Sequence, residues 1–340
     1  MDPNVRYKTA RPEGLPEKPE RHALISGGAG FLGVNAALHF IKDGWFVTLL
    51  DNLSRPGTER NLKHVLTRYP NRTRFIKEDV RNATALAEHV RGQDAILHLA
   101  GQVAVTTSLV DPNTDFDVNA RGTLNMLEAV RLHNHDAPFV FASTNKVYGK
   151  LDHNNSACKE TQPIDFHSPY GCSKGAADQY VRDYARCFDM NTVVLRQSCI
   201  YGAHQYGTED QGWVAHFVHS ILKDRPLTIY GDGTQVRDLL DARDLSALYS
   251  TVIEKIGITR GEIYNVGGGT ENQRNLLEVI DQVGELTGKK PRFSYADWRE
   301  GDQAYYVSDT TKAKEQLGWE PKVDFDRGLR DLISWADSIN

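Results

Sequence analysis

Tyr170 and Lys174 stand four residues apart in the stretch His167-Ser168-Pro169-Tyr170-Gly171-Cys172-Ser173-Lys174. On a helix, residues at this spacing share a face. A phenol with a pKa of about 10 in water is a poor base at neutral pH, but a neighbouring ammonium favours the phenolate and brings it toward the working range. The pair is a candidate acid/base couple; the bland alternative is a surface tyrosine and lysine that happen to share a face. Ser168 can cap a helix with its hydroxyl, and Pro169 suits the first position, where its missing N–H has no partner. From there Ala176, Ala177, Tyr180, Val181, Tyr184 and Ala185 recur at helical spacing, which predicts a helix through about Phe188.

A further hydroxyl belongs with the pair. Thr144 ends the strand-like run PFVFAST and precedes Asn145-Lys146-Val147-Tyr148-Gly149. Alone it would be a β-branched residue at a turn. With Tyr170 and Lys174 close downstream, its hydroxyl reads as a partner for the substrate oxygen that Tyr170 deprotonates.

These groups need a reaction partner, and the beginning of the chain supplies a place for one. His22 to Ser26 is a short buried-strand pattern that runs into Gly27-Gly28-Ala29-Gly30-Phe31-Leu32-Gly33 and then a helix to about Asp43. A glycine-rich turn there lets backbone N–H groups approach a pyrophosphate at the helix N-terminus. The strand predicted from Trp45 to Leu50 is followed by Asp51, about 18 residues past the last glycine, where a carboxylate bonds the adenosine ribose hydroxyls. A carboxylate at that position repels the extra phosphate of NADP, so NAD is the expected cofactor. Arg55, just beyond, would either answer such a phosphate, stay solvated or stack on the adenine.

Strand and helix patterns then alternate. Strands are predicted at Arg74 to Glu78, Ala95 to Ala100, Pro138 to Ser143, Thr192 to Arg196 and Ile263 to Val266, with helices at 57–68, 83–91 and 115–133. Near-continuous apolar strands separated by helices imply an α/β fold with a Rossmann-type doubly wound parallel sheet. Ligands in such sheets sit beyond the carboxyl ends of the strands. Asp79, the segment Leu99-Ala100-Gly101-Gln102, Thr144 and the segment after Arg196 all fall there and should converge on one cleft. The NAD-binding domain is expected over 21–195, with 240–268 returning to it. A smaller mixed α/β C-terminal lobe is expected from 196–239 and 269–340, and residues 1–20 read as a flexible extension.

Composition narrows the partners. The 340 residues carry 40 basic and 45 acidic side chains for a net charge of −5, without a basic run, which argues against nucleic acid. No apolar stretch reaches a membrane-spanning length, and the opening residues lack the apolar core of a signal peptide, so a cytoplasmic location is expected. Cys158, Cys172, Cys187 and Cys199 have neither metal-ligand nor disulfide-scaffold spacing and read as reduced thiols, and the scattered histidines argue against a metal. Later in the chain, a helix is predicted from about Gln211 to Leu222, and 229–238 reads as a hairpin-like turn before a helix from Ala242. Arg237 and Arg299 read as arginines in loop-like settings, able to grip phosphate oxygens.

Taken together, the glycine loop, Asp51, Thr144, Tyr170 and Lys174 resemble the extended short-chain dehydrogenase/reductase family of nucleotide-sugar enzymes over residues 21–338. Within it, the segments LAGQVAVTTS (99–108), STNKVYG (143–149), DFHSPYGCSKGAADQY (165–180), DQGWV (210–214) and QVRD (235–238) are similar to the branch that inverts C2 of CDP-linked hexoses of the CDP-tyvelose type. The resemblance implies an NAD-dependent isomerase whose catalytic set is Thr144, Tyr170 and Lys174. It implies NAD contacts from Gly27, Gly30, Phe31, Leu32, Asp51, Asn52, Ser54, Arg55, Asp79, Val80, Leu99, Ala100 and Gln102, with Tyr170 and Lys174 reaching the cofactor as well. Substrate contacts are implied for Arg237 and Arg299 at the diphosphate and for Thr106, Ser108, Thr144, His167, Gln197, Ser198 and Val214. The partner is then a nucleotide-diphosphate sugar, CDP-hexose favoured, and helices near 115–133 and 169–187 imply a homodimer. One departure is Cys199, where many relatives carry an asparagine near the diphosphate.

Three rival readings remain. A 4,6-dehydratase would carry Asp-Glu straight after the catalytic threonine, and this chain has Asn145-Lys146. A C4 epimerase of a UDP- or other NDP-hexose shares the same core residues. A non-catalytic dinucleotide-sensing scaffold would have no need of Tyr170, Lys174 and Thr144 together.

Overall fold

The computed structural model describes residues 20–151 and 156–339, so the expected extension over 1–20 lies almost wholly outside the described residues. Thirteen strands run in chain order: β1 His22–Ser26, β2 Phe46–Asp51, β3 Thr73–Lys77, β4 Ala95–His98, β5 Phe139–Thr144, β6 Thr192–Gln197, β7 Cys199–Tyr201, β8 Leu227–Tyr230, β9 Val236–Asp241, β10 Ile263–Val266, β11 Gln273–Asn275, β12 Phe293–Ala296 and β13 Tyr305–Tyr306. Seven of them form one sheet in the order β10-β6-β5-β4-β1-β2-β3. Every pairing in it is parallel. The fold is the α/β Rossmann type.

The alternation of side chains explains why the sheet is covered on both faces. Ala23, Ile25, Ala95 and Leu97 point one way and join Val34, Phe40, Leu248 and Val252 from the helices Phe31–Lys42 and Ala242–Glu254. Leu24, Ile96 and Phe141 point the other way and meet Met126, Leu127 and Val181 from Gly122–His133 and Ser168–Cys187. Each fully buried side chain of this size contributes about 1.5–3 kcal/mol of burial, so strands apolar on both faces gain twice over.

The second lobe is organised around β9, which pairs with β7 and β13 in parallel and with β11 antiparallel. A third cluster, including Tyr201, Phe217, Ile229, Leu239, Val279 and Phe325, fills it. Residues 229–238 do not form the hairpin expected. β8 pairs in parallel with β12 in a separate two-stranded sheet, because Gly231 and Gly233, at φ 84° and 81°, turn the chain aside. A Cβ on Gly231 would lie 2.6 Å from the Trp298 ring, so only glycine passes there. Arg237 is likewise not on a loop but within β9, where it is 6% exposed.

The helix expected over 115–133 is also interrupted. Pro112–Phe116 and Gly122–His133 are joined by a π-helical turn, Asp117–Arg121. Such turns insert one residue and recur at functional sites. All four cysteines are free thiols, and among the described residues no cluster of His, Cys, Asp and Glu could hold a metal. Among the described residues no helix is long and apolar enough to cross a membrane.

Candidate active site

The motif helix Ser168–Cys187 is pinned at its start. Ser168 Oγ accepts the Gly171 N–H at 3.2 Å, which is the capping role read from the sequence. The Tyr170 N–H donates to Ser108 Oγ at 3.2 Å, and Ser173 Oγ donates to Asp115 Oδ2 at 2.5 Å. Tyr170 is thereby fixed against the end of β5, where its phenol hydrogen-bonds the Thr144 hydroxyl. The Thr144–Tyr170 couple is thus assembled in the folded chain.

Lys174 behaves differently from the expectation. Its Nζ donates to Ala142 O at 2.5 Å and lies 4.1 Å from the centroid of the Phe141 ring, so it points into the end of the sheet. Burial lowers its pKa to about 7, against the opposing pull of Asp178 and Asp115. Tyr170 is pushed up to about 12 by burial, reinforced by Asp115 and opposed by the Thr144 hydrogen bond and the Arg55 guanidinium. The cation acting on the phenol in this state is therefore Arg55 rather than Lys174, which spends its charge on a carbonyl.

Beside this couple runs a cleft of about 480 Å³ whose lining includes Gly27, Gly30, Phe31, Leu32, Asp51, Asn52, Ser54, Arg55, Asp79, Val80, Leu99, Ala100 and Gln102. The strand ends do converge there. The glycine loop is built by close approach: a Cβ on Gly27 would sit 2.8 Å from Ala100 N, and one on Gly33 would sit 2.3 Å from Gly27 O. Asp51 accepts Ala29 N–H at 3.0 Å and Leu53 N–H at 2.8 Å, so its carboxylate is aimed by backbone donors. Burial raises its pKa against those bonds. Asp79 is held below the ordinary carboxylate range, chiefly by Arg81, and also takes Asn52 Nδ2 at 2.8 Å. Arg55 is not solvated: it donates to Gln211 Oε1 across the cleft.

Donors and acceptors in the cleft suit a dinucleotide. The N-terminus of Phe31–Lys42 has no side-chain cap and opens on the glycine loop. Asn61 Oδ1 and Gln205 Oε1 are buried acceptors without a partner among the described residues, and both side chains line the cleft.

Several supporting residues escaped the sequence reading. Asn119, on the π-helical turn, is 1% exposed. Its Oδ1 accepts Gln102 N–H at 3.0 Å, while its Nδ2 lies within hydrogen-bonding distance of Gln102 O, Asp115 Oδ1 and Ser173 Oγ at 3.0, 3.2 and 3.1 Å. The available signal was a polar side chain in line with Thr123, Met126 and Val130 on a buried face. Beneath the active end, Arg196 grips Asp178 through two 2.9 Å bonds, and Asp178 also accepts Ser143 Oγ at 2.7 Å. His98, at about pKa 3 through burial and Lys174, bridges Ser26 Oγ and Thr123 Oγ1 at 2.7 and 3.1 Å.

On the substrate side, one short segment gathers most of the expected residues. Arg299 donates to Glu209 O at 3.0 Å and lies 3.9 Å over the Tyr230 ring. His167 meets Glu300 at 3.0 Å, Lys146 donates to Gly301 O at 3.1 Å, and Arg237 donates to Asp302 at 2.8 Å and to Gln303 O. Thr106 is tied in through Asp210 at 3.0 Å, and Asp210 in turn pairs with Arg299 at 3.6 Å. Residues 299–303 therefore strap the site. Other expected contacts are turned elsewhere. Val214 packs in the core of the second lobe, and Ser108 is buried under the motif helix. Gln197 donates to the Tyr249 hydroxyl at 2.9 Å, and Ser198 Oγ is bonded to Asp238. Cys199 Sγ accepts the Trp213 indole N–H at 3.5 Å, and burial raises its pKa.

Comparison with known proteins is consistent along nearly the whole chain. The model of the family described as GDP-mannose 4,6 dehydratase matches residues 24–332. CDP-paratose 2-epimerase of Salmonella typhi is 41% identical over 337 residues, covering 93% of this chain and 99% of that protein. A dTDP-glucose 4,6-dehydratase of Mycolicibacterium smegmatis is 33% identical, covering 92% of each. The structure of UDP-glucose 4-epimerase from Thermus thermophilus in complex with NAD superposes with a TM-score of 0.84 at 32% identity, over 94% of this chain and all of that one. With its glycine loop, aimed Asp51 and Thr144–Tyr170 couple in the same frame, the chain belongs to the GDP-mannose 4,6-dehydratase family, the extended short-chain dehydrogenase/reductase group of nucleotide-sugar epimerases and dehydratases.

Proposed function

We propose that the protein is an NAD-dependent epimerase that inverts C2 of a CDP-linked hexose through a transient 2-keto sugar. The observation that carries this reading is the Thr144–Tyr170 couple at the end of a dinucleotide-type cleft. The 41% identity to a CDP-paratose 2-epimerase supports the choice of carbon and nucleotide. NAD, when bound by the glycine loop and Asp51, supplies the hydride acceptor and donor and a positive charge near the phenol. Tyr170 removes the proton from the sugar 2-hydroxyl and later returns it. Thr144 holds the oxygen that alternates between alcohol and ketone. Arg237 and Arg299 keep the diphosphate in place while the hexose presents its other face.

Elimination of water is disfavoured by what stands after Thr144. Asn145 Nδ2 donates to Gln303 at 3.1 Å, and Lys146 offers an ammonium where a carboxylate base would be required. The carboxylate nearest to them, Asp302, is raised by burial but lowered on balance by Arg237 and Lys146, and so is a weak proton acceptor. Leu132, Tyr180 and Phe188, exposed on or beside Gly122–His133 and Ser168–Cys187, suit a dimer built on these helices.

The test is an NMR time course in D₂O with protein as purified, no added NAD, and CDP-, UDP- and dTDP-hexoses in turn. The expected result is inversion at C2 of a CDP-hexose with the original hydrogen retained and no deuterium gained. Inversion at C4 would replace the assigned carbon, which the UDP-glucose 4-epimerase likeness makes the second reading. Deuterium beside the reacting carbon, or silence with every sugar, would overturn the mechanism.

A further inference from the structure

Two cations meet on one oxygen at the substrate end of the site. Arg237 Nη2 lies 2.8 Å from Asp302 Oδ1, Lys146 Nζ lies 3.4 Å from the same atom, and Gln303 N–H donates to it at 2.9 Å. The side chains of Arg237 and Lys146 are only 7% and 20% exposed. Two positive groups thus share one negative group away from water, and an uncompensated charge in such a place is costly unless an anion completes it. Glu300 adds no compensation, since it faces His167.

The position of the second cation is specific. The Lys146 N–H donates to Thr144 Oγ1 at 3.3 Å, so its ammonium is tethered two residues from the hydroxyl assigned to the reacting oxygen. In a nucleotide sugar the β-phosphate hangs on C1. A phosphate-binding cation beside the catalytic threonine therefore suits reaction at the adjacent carbon, C2, whereas C4 lies across the ring.

We propose that Lys146 is a phosphate-binding and specificity-determining residue: with Arg237 it takes the β-phosphate of the substrate, which replaces the carboxylate of Asp302. This inference rests on reading the site as one for a nucleotide-diphosphate sugar. Asp302 is an internal stand-in that keeps both cations in place and must be outcompeted. Asn145-Lys146 thus does more than remove an elimination acid and base; it adds phosphate recognition.

The experiment is calorimetric titration of the purified protein with CDP and with CMP, which differ by the β-phosphate. Lys146→Met should weaken CDP about ten- to a hundredfold, the loss of one charged hydrogen bond, and leave CMP within about twofold. Lys146→Arg should recover most of the CDP affinity. Asp302→Asn should tighten CDP, and should cease to do so when combined with Lys146→Met. Unchanged CDP affinity in Lys146→Met, or equal loss of CDP and CMP, overturns the proposal, and a looser Asp302→Asn overturns the displacement. If the wild type ignores cytidine nucleotides but binds UDP or dTDP, the choice of base fails, and the corresponding diphosphate and monophosphate pair decides the role of Lys146 by the same criterion. A wild type indifferent to the β-phosphate with every base overturns both.

Discussion

Replacing Lys174 by methionine should make the protein more stable at neutral pH while disabling it. In the fold Lys174 gives up its proton near pH 7, whereas an unfolded lysine does so near 10.4. Between these values the unfolded chain binds more protons than the native one, so stability rises with pH by about 1.4 kcal/mol per pH unit, about 4–5 kcal/mol across the window. The penalty for burying this cation is fully present below pH 7 and gone above the unfolded pKa. Methionine keeps an unbranched stem against Phe141 and carries no charge to desolvate. The lost bond to Ala142 O, about 1 kcal/mol net, offsets only part of the gain. Urea unfolding of the cofactor-free proteins, followed by far-UV circular dichroism at pH 7, 8, 9 and 10, should show the variant ahead at pH 7 and the gap closing steadily toward pH 10. A gap that does not change with pH, or a variant weaker at pH 7, refutes the account of Lys174 as a desolvated cation.

Two further substitutions probe the couple and the cradle. Tyr170→Phe should lower turnover by about 10²–10⁴, the usual worth of a positioned acid/base, with bound dinucleotide still visible in the absorbance spectrum; turnover near the wild-type rate would remove Tyr170 from its role. Gly33→Ala places a Cβ 2.3 Å from Gly27 O, a backbone atom with no room to yield, so it should cost about 1–3 kcal/mol and empty the purified protein of dinucleotide. Full occupancy in that variant would mean that the loop is not the cradle.

The elements legible in the sequence are those where one strong local rule acts. The parallel strands are apolar on both faces, and β1 and β10 fall on the residues predicted for them. Asp51 and the glycine loop are readable because strand, turn and carboxylate sit at fixed offsets. What stayed hidden depends on partners distant in the chain. Nothing local to Lys174 reveals that it would find Ala142 O rather than the phenol, and nothing local to Ile229–Asp238 reveals that β8 would pair with β12 more than sixty residues on. The π-helical turn was masked by a helical pattern that continues through it, although Asn119 on the buried face marks the place. Ser108 and Val214 looked like site residues because they stand in segments that do border the site, but their side chains point the other way.

One structural detail bears on how a sugar can turn over inside this protein. β6 of the large sheet passes into β7 of the small one across the single residue Ser198, whose hydroxyl is bonded to Asp238 of β9. The strand carrying Arg237 is thus laced on three edges and continues directly into Ala242–Glu254, which packs on the helix of the glycine loop. The backbone between anchor and reaction plane contains no joint. If the phosphates are held at one end and the oxidised carbon must show both faces at the other, rotation belongs to the freely turning bonds between phosphorus and C1. The protein acts as a fixed bearing and the ligand as its own axle.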